Sequence, residues 1–312
     1  MNWIGIAAYE AADSTLRSGL VVDGKVYDAQ EALAAAGQQL RLPQGGLAGL
    51  LAEWQESSPE VLAALETAAQ AIQQARIQLS PQSGALGIPY HPGRIFATAS
   101  NFYDHAAEMG TKLAARSESS PYIFMKADSS VTPTKSAVVM PPNTERLDWE
   151  VELAVVIGKG GRHIPVERAH EHIAGYTIIN DISARDLNRR TDYPFSHDWF
   201  RGKSFDNFAP LGPWFVPRDC IGDPQKLRMR LSVNGELMQD ATAEAMIFNI
   251  AEQISYLSGI LTLRGGDLIA TGTPTGVGMG RGVYLRPGDV MVASIDQIGT
   301  IENHVVAQTA ST

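Results

Sequence analysis

The stretch RLDWEVELAVVIG, Arg146 to Gly158, constrains this chain more than any other. Val151 and the run from Leu153 to Ile157 read as a buried strand, yet Asp148, Glu150 and Glu152 interrupt its first half at every second position. In a strand, residues i, i+2 and i+4 point to one face. The three carboxylates therefore share one face, and Trp149, Val151 and Leu153 share the other. A wet strand face is the ordinary explanation of alternating charge. Here the sequence turns continuously apolar after Glu152, so the strand is entering a core, where an unpaired carboxylate costs several kcal/mol. Such a face calls for a cation, and a hard divalent ion coordinated by oxygen meets the need.

A second acid sits in the same setting. YTIINDISARD closes an apolar strand, Tyr176 to Ile179, with Asn180 and Asp181. Asp181, Arg185 and Asn188 follow at four- and three-residue spacing, which predicts one shared face if a helical turn starts at Asp181. Lys203 lies in RGKSFDNFAPLGPW, a glycine-flanked and otherwise apolar stretch; alone, it reads as a surface lysine. His105 and Glu108 in DHAAEMG are three apart, a helix-face spacing that by itself reads as a surface hydrogen bond. GTPTGVGMGRG follows the strand-like LIAT, but VYLRPGDV behind it reads as turn and strand. A glycine-rich loop that opens no helix is a poor phosphate site.

Composition narrows the class. The 312 residues suffice for a large core in one or two domains. Twenty-five Lys and Arg against 34 Asp and Glu give a net charge of -9, the opposite of a nucleic-acid surface. One cysteine, Cys220, excludes an internal disulfide framework and suits a reducing, cytoplasmic setting. The opening MNWIGIAAYEAADS reads as a first strand rather than a signal peptide. No stretch approaches the ~20 apolar residues of a membrane span.

Texture divides the chain. Residues 1–85 read as a small α/β N-terminal domain. It has a hairpin turning at Asp23-Gly24, helices near 29–39 and 47–56, and a third helix starting at Ser58-Pro59-Glu60, where serine caps and proline suits the first position. The proline- and glycine-rich SPQSGALGIPYHPG, 80–93, reads as a linker. From 86 to 312, many short β-like runs, a hairpin signal at Asn234-Gly235, and helical periodicity only near 103–116, 165–172 and 246–260 predict a β-rich α+β domain.

Five stretches carry a resemblance: SNFYDHAAEMG, DWEVELAVVIGKGG, YTIINDISARDLN, RGKSFDNFAPLGPW and LIATGTPTGVGMG. In this order and spacing they resemble the fumarylacetoacetate hydrolase superfamily over about residues 90–305. The resemblance implies a β-roll catalytic domain behind a variable N-terminal one, and usually a homodimer. It implies metal ligands at Glu150, Glu152 and Asp181, leaving Asp148 out. It makes His105 and Glu108 a water-activating dyad on a lid segment over the substrate, with SESSPY suiting a hinge. It gives Lys203 a catalytic role and places Phe102, Arg185, Asn188, Gly272 and Thr273 against the substrate. The other six histidines fall outside the motifs and read as structural or solvated. Three carboxylates with no His or Cys suit Mg²⁺ or Mn²⁺, with Ca²⁺ as the alternative, rather than zinc.

Two departures mark this chain. Position 101 is Asn where the fumarylacetoacetate-cleaving members have a further acidic ligand, and position 188 is Asn where many have Gln. The segment TDYPFSHDW, 191–199, is also distinct. The expected activity is metal-dependent cleavage of a carbon–carbon bond in a 1,3-dicarbonyl 2-oxo acid, of the acylpyruvate or fumarylpyruvate type, as in the catabolism of aromatic compounds. Oxaloacetate-type decarboxylation and 2-oxo-alkenoate isomerisation or hydration share the enolate intermediate. A non-catalytic ligand-binding protein on the same fold would have lost the dyad, Lys203 or a ligand. The substrate is a small 2-oxo acid; no nucleic-acid or membrane partner is expected.

Overall fold

The computed structural model describes residues 3–43 and 46–308, with the backbone alone at 55–57. Its strands are β1 (Gly5–Glu10), β2 (Leu16–Val22), β3 (Lys25–Asp28), β4 (Ile95–Ala99), β5 (Tyr122–Lys126), β6 (Ala137–Met140) and β7 (Val151–Ile157). They continue with β8 (Ile173–Asn180), β9 (Ala209–Pro217), β10 (Arg228–Val233), β11 (Glu236–Thr242), β12 (Leu268–Ala270), β13 (Val290–Ile295) and β14 (Gly299–Ala307). The helices are α1 (Ala29–Ala35), α2 (Leu47–Ala52), α3 (Trp54–Gln73), α4 (Tyr103–Glu108), α5 (Trp199–Lys203), α6 (Ile250–Ile260) and α7 (Gly278–Arg281). The expected β-rich α+β class holds.

A large mixed sheet runs in the order β3-β2-β1-β9-β8-β7-β12-β4-β5, and a second runs β11-β10-β13-β14-β6. Leu20, Leu33, Leu50, Leu65, Ala154, Val156 and Phe215 belong to one core cluster, between α1–α3 and the large sheet. Val151, Leu153, Val155 and Ile157 belong to another, with Leu231 and Met291 of the second sheet and Ile254 of α6. The strand β7 is therefore buried on both faces, odd residues against one core and even residues against the other, which is why its second half reads as unbroken apolar sequence. Sheet and core both run across the linker: Ile6 of β1 pairs with Phe215 of β9.

Both predicted hairpins form, with positive φ at Asp23 and Gly24 (49° and 75°) and at Asn234 and Gly235 (52° and 83°), the geometry of the tight primed turns. The third helix departs from expectation. It begins at Trp54, with Pro59 inside it, and the Ser58 hydroxyl donates back to the Trp54 carbonyl instead of capping. Trp54 packs edge-on against Phe215, ring centroids 6.1 Å apart, and over Gly158, where a Cβ would come within 2.4 Å of the indole. That packing of the first turn onto the sheet overrides the Ser-Pro start signal.

Candidate metal centre and active site

The carboxylate stretch is two pieces rather than one strand: Leu147–Asp148 pairs with Ser183–Ala184, and β7 starts at Val151. Antiparallel register sets Ile179 of β8 opposite Glu152 and Asn180 opposite Val151. Where that ladder ends, the Asn180 side chain accepts from the Glu150 amide at 2.9 Å, and the Asp181 amide donates to the Glu150 carbonyl at 2.8 Å. These bonds turn Glu150, Glu152 and Asp181 to one spot. All three are buried, and each offers a carboxylate oxygen, all within 4.8 Å of one another.

Buried cations surround them. Lys203 Nζ donates to Glu150 Oε2 and Asp181 Oδ2, both at 2.6 Å. Burial works against its charge, but Asp181 and Glu150 more than offset it and keep it above the ordinary lysine range. Arg185 Nη2 lies 2.6 Å from Glu150 Oε1, an ion pair by distance whose N–H is poorly aimed at the oxygen. Burial opposes the charge of Glu150 as well, but Arg185 and Lys203 outweigh it and depress its carboxyl well below the usual range. Among the described residues, Glu152 accepts a hydrogen bond only from the Gly272 amide, at 2.7 Å; burial, with Asp181 and Glu150 beside it, pushes its carboxyl well above the usual range.

This imbalance is the test of fit for a metal. Counting Asp148, and with Glu152 ionised as a metal ligand must be, the four buried acids exceed Lys126, Lys203 and Arg185 by one charge. A divalent cation reverses that sign and leaves room for one carboxylate of a ligand. The donors are all oxygen, and a carboxylate oxygen already accepting one hydrogen bond keeps a lone pair for a metal. The residues fit Mg²⁺ or Mn²⁺.

Asp148 has another partner set. Its oxygens accept from the amides of Trp149, Gly278 and Met279, at 2.8, 2.6 and 2.9 Å, and from Arg185 Nε at 2.8 Å. The first turn of α7, a helix that the glycine-rich sequence did not predict, thus holds an internal carboxylate.

Across the cavity, α4 carries His105 and Glu108, with His105 Nδ1 2.9 Å from Glu108 Oε1. The Gly276 amide donates to both Glu108 oxygens, at 3.1 and 2.9 Å. Burial opposes ionisation of Glu108, but hydrogen bonds from His105, Gly276 and Thr275 outweigh it and hold its carboxyl below the usual range. A cavity of about 180 Å³ joins the two groups, bounded by the triad, Lys203, Arg185, Asn188, Thr273 and His105.

Several expected contacts are placed differently. Phe102 is buried in the core and does not reach the cavity, because it is the extended residue that starts α4. The Gly272 amide is committed to Glu152. Thr273 lines the cavity, but its hydroxyl donates to the Val151 carbonyl and accepts from Gln239, at 2.9 and 2.8 Å. Asp181, Arg185 and Asn188 do converge, yet through a short bridge and turn rather than a helix starting at Asp181. Asn188 is buried, and its Oδ1 has no hydrogen-bond partner among the described residues. Asn101 cannot stand in for the missing acid, since its amide is spent on the Phe248 and Thr271 backbones. His197, read as structural or solvated, lines the cavity with Trp199 and Phe124.

Lys126 was not foreseen. It is fully buried at the end of β5 and donates to Asp181 Oδ1 at 2.5 Å, to the Ile182 carbonyl at 3.3 Å and to the Lys203 carbonyl. Alternation in YIFMK, which puts Phe124 and Lys126 on one face, was the available signal.

Comparison with known proteins bears on the whole arrangement. The family described as fumarylacetoacetate (FAA) hydrolase C-terminal matches residues 94–306. The chain is 40% identical over 251 residues to 2,4-didehydro-3-deoxy-L-rhamnonate hydrolase of Sphingomonas sp. (strain SKA58), covering 79% of this chain and 85% of the relative. It is 41% identical over 218 residues to a human mitochondrial oxaloacetate tautomerase, covering 69% and 67%. Among solved structures, maleylpyruvate hydrolase of Sphingobium sp. SYK-6, in complex with manganese(II) and pyruvate, superposes with a TM-score of 0.73 at 27% identity over 98% of this chain and all of the other.

Proposed function

The chain belongs to the fumarylacetoacetate hydrolase family, and from that premise we propose that it is a metal-dependent hydrolase cleaving a carbon–carbon bond in a 1,3-dicarbonyl 2-oxo acid, of the acylpyruvate or fumarylpyruvate type. The observation that carries this reading is the facing of the Glu150, Glu152 and Asp181 carboxylates and the His105–Glu108 pair across one cavity. A hydrolase at 40% identity and a manganese- and pyruvate-bound hydrolase of the same fold support it.

Glu150, Glu152 and Asp181 would hold the metal, which when bound polarises the 2-oxo acid and stabilises negative charge on its oxygens. Glu108 occupies His105 Nδ1, so Nε2 is the nitrogen that takes a proton from water. The water oxygen bonds to the distal carbonyl carbon, and the bond between that carbon and the methylene breaks. The electron pair passes into the enolate of the 2-oxo acid, and the His105 proton is returned to its carbon. The products are a carboxylic acid and a 2-oxo acid. Lys203 and Arg185 bring positive charge to the wall where the enolate forms.

A second reading is proton transfer alone, as in tautomerisation of oxaloacetate; the human relative favours keeping it. Decarboxylation, isomerisation and hydration would use the same residues. A homodimer in the cytoplasm belongs to the proposal, supported by apolar side chains exposed along edge strand β5 and α5, Tyr122, Met125 and Phe200. Among the described residues, no helix is long and apolar enough to cross a membrane.

Ultraviolet absorbance of an acylpyruvate enol tests the reading, with Mg²⁺ or Mn²⁺, with chelator, and with oxaloacetate in parallel. Metal-dependent loss of the signal, with a carboxylic acid and pyruvate as products, is the expected result. Activity on oxaloacetate alone would move the assignment to tautomerase or decarboxylase.

A further inference from the structure

The glycine loop is the motif that the proposed chemistry leaves unused, and its contacts give it a different task. Within four residues, three backbone amides face carboxylates of the chain itself. Gly276 donates to Glu108, and Gly278 and Met279 donate to Asp148. Both anions belong to the site. Glu108 partners the His105 imidazole, and Asp148 partners Arg185, which reaches Glu150. The loop therefore sits between the dyad and the metal triad and touches the supports of each.

Gly280 completes the seat. A Cβ there would lie 2.5 Å from Glu108 Oε2, 2.7 Å from its Cδ and 2.9 Å from its Cγ. Real Cβ atoms do not approach this closely, so one side must move. Gly280 lies inside α7, and its φ is not positive. Its backbone accepts any residue, and alanine is the better helix former. A side chain at 280 would therefore displace the flexible Glu108 carboxylate rather than break the loop.

We propose that Gly280 is a positioning residue, the notch in which Glu108 seats, so that the Gly276 amide and the notch together fix the His105 imidazole opposite the metal triad. Gly272, Gly276, Gly278 and Gly280 of GTPTGVGMGRG serve internal carboxylates rather than a phosphate or the substrate. The kinetic part rests on the hydrolase reading; the placement of α4 does not.

Gly280→Ala tests it. Turnover of an acylpyruvate is expected to fall ~10–100-fold, the usual scale for losing the partner that orients a reacting group, with KM within about twofold because no substrate contact changes. Mn²⁺ binding, read from the electron paramagnetic signal of free Mn²⁺, is expected to stay unchanged. In a Glu108→Ala background the same substitution should have no further effect, because its action passes through Glu108. Amide hydrogen exchange on the Mn²⁺-loaded protein supplies a readout independent of activity: exchange over 103–110 should rise while 151–157 stays protected. Full turnover with unchanged exchange would overturn the proposal, as would an equal further loss in the Glu108→Ala background. If the wild type hydrolyses no acylpyruvate, the hydrolase reading fails while the exchange comparison still decides the role of Gly280.

Discussion

The two walls of the cavity are built differently. The metal wall rests on β7 and β8, paired in register and buried on both faces, and its acids meet cations from β5, the 183–188 turn and α5. The dyad wall is a helix of six residues whose Glu108 carboxylate seats on the Gly276 amide of the glycine loop. The first wall is fixed by the folding of the sheets, and removing a part costs fold as well as chemistry. The second is a short helix outside the sheets, so its dyad can be altered while the sheets stand.

Asp181→Ala should break the metal wall most severely. It removes a ligand and leaves Lys126 and Lys203 buried without their shared acid, which costs about 3–5 kcal/mol for a buried pair. Urea unfolding reads the loss, and Mn²⁺ binding should disappear. Unchanged stability would mean that the lysines relax to water and the wall is looser than its contacts imply.

His105→Ala addresses the other wall. Turnover should drop ~10²–10⁴-fold, the range for a general base, while Mn²⁺ affinity and urea midpoint hold. Unchanged turnover would remove His105 from the water-activating role.

A pH series sharpens the contrast within the metal wall. The carboxyl of Glu152 is raised by burial and by Asp181 and Glu150, so the metal-free fold keeps a proton that the unfolded chain releases. Its contribution to stability is present in acid and lost as pH rises from the ordinary carboxylate range toward the raised value. Mn²⁺ must displace that proton, so its affinity should increase with pH, by up to about tenfold per unit while the proton is held. Calorimetry in buffers of different ionisation heat should count about one proton released; none would show Glu152 already ionised.

The smallest effect is expected at Phe102→Leu. The side chain lies in the core and off the cavity, so stability should fall by about 1 kcal/mol with KM unchanged. A raised KM would return Phe102 to the substrate.

The difference between the walls also explains what was legible in the sequence. Glu150 and Glu152 declared themselves because strand alternation is a local rule, and acids spaced by two in an apolar run violate composition visibly. The helical spacing of His105 and Glu108 made their pairing legible, but its role came from the family resemblance alone. Gly276 is 168 residues from Glu108, and Gly278 is 130 from Asp148; no periodicity connects such positions, so their bonds to these carboxylates had no signal in the sequence. The burial of Phe102 had no signal in the sequence, because a motif shows proximity to a site but not the direction of a side chain. Trp54 starts its helix early for a tertiary reason, the aromatic face of Phe215, which local capping signals do not contain.

Lys126 gives the site a cation that stays with the chain when a metal leaves, although burial, only partly offset by Asp181, holds its ammonium below the ordinary lysine range. All three protons of its ammonium have acceptors: one oxygen of Asp181 and two backbone carbonyls from separate segments. A chelator can strip the metal, and salt can screen the surface, but neither reaches a charge tethered by a side chain in a sealed place. Asp181 should thus stay aimed at its post through cycles of metal loss and reloading, and a returning ion meets a preset ligand rather than one that must be ordered anew.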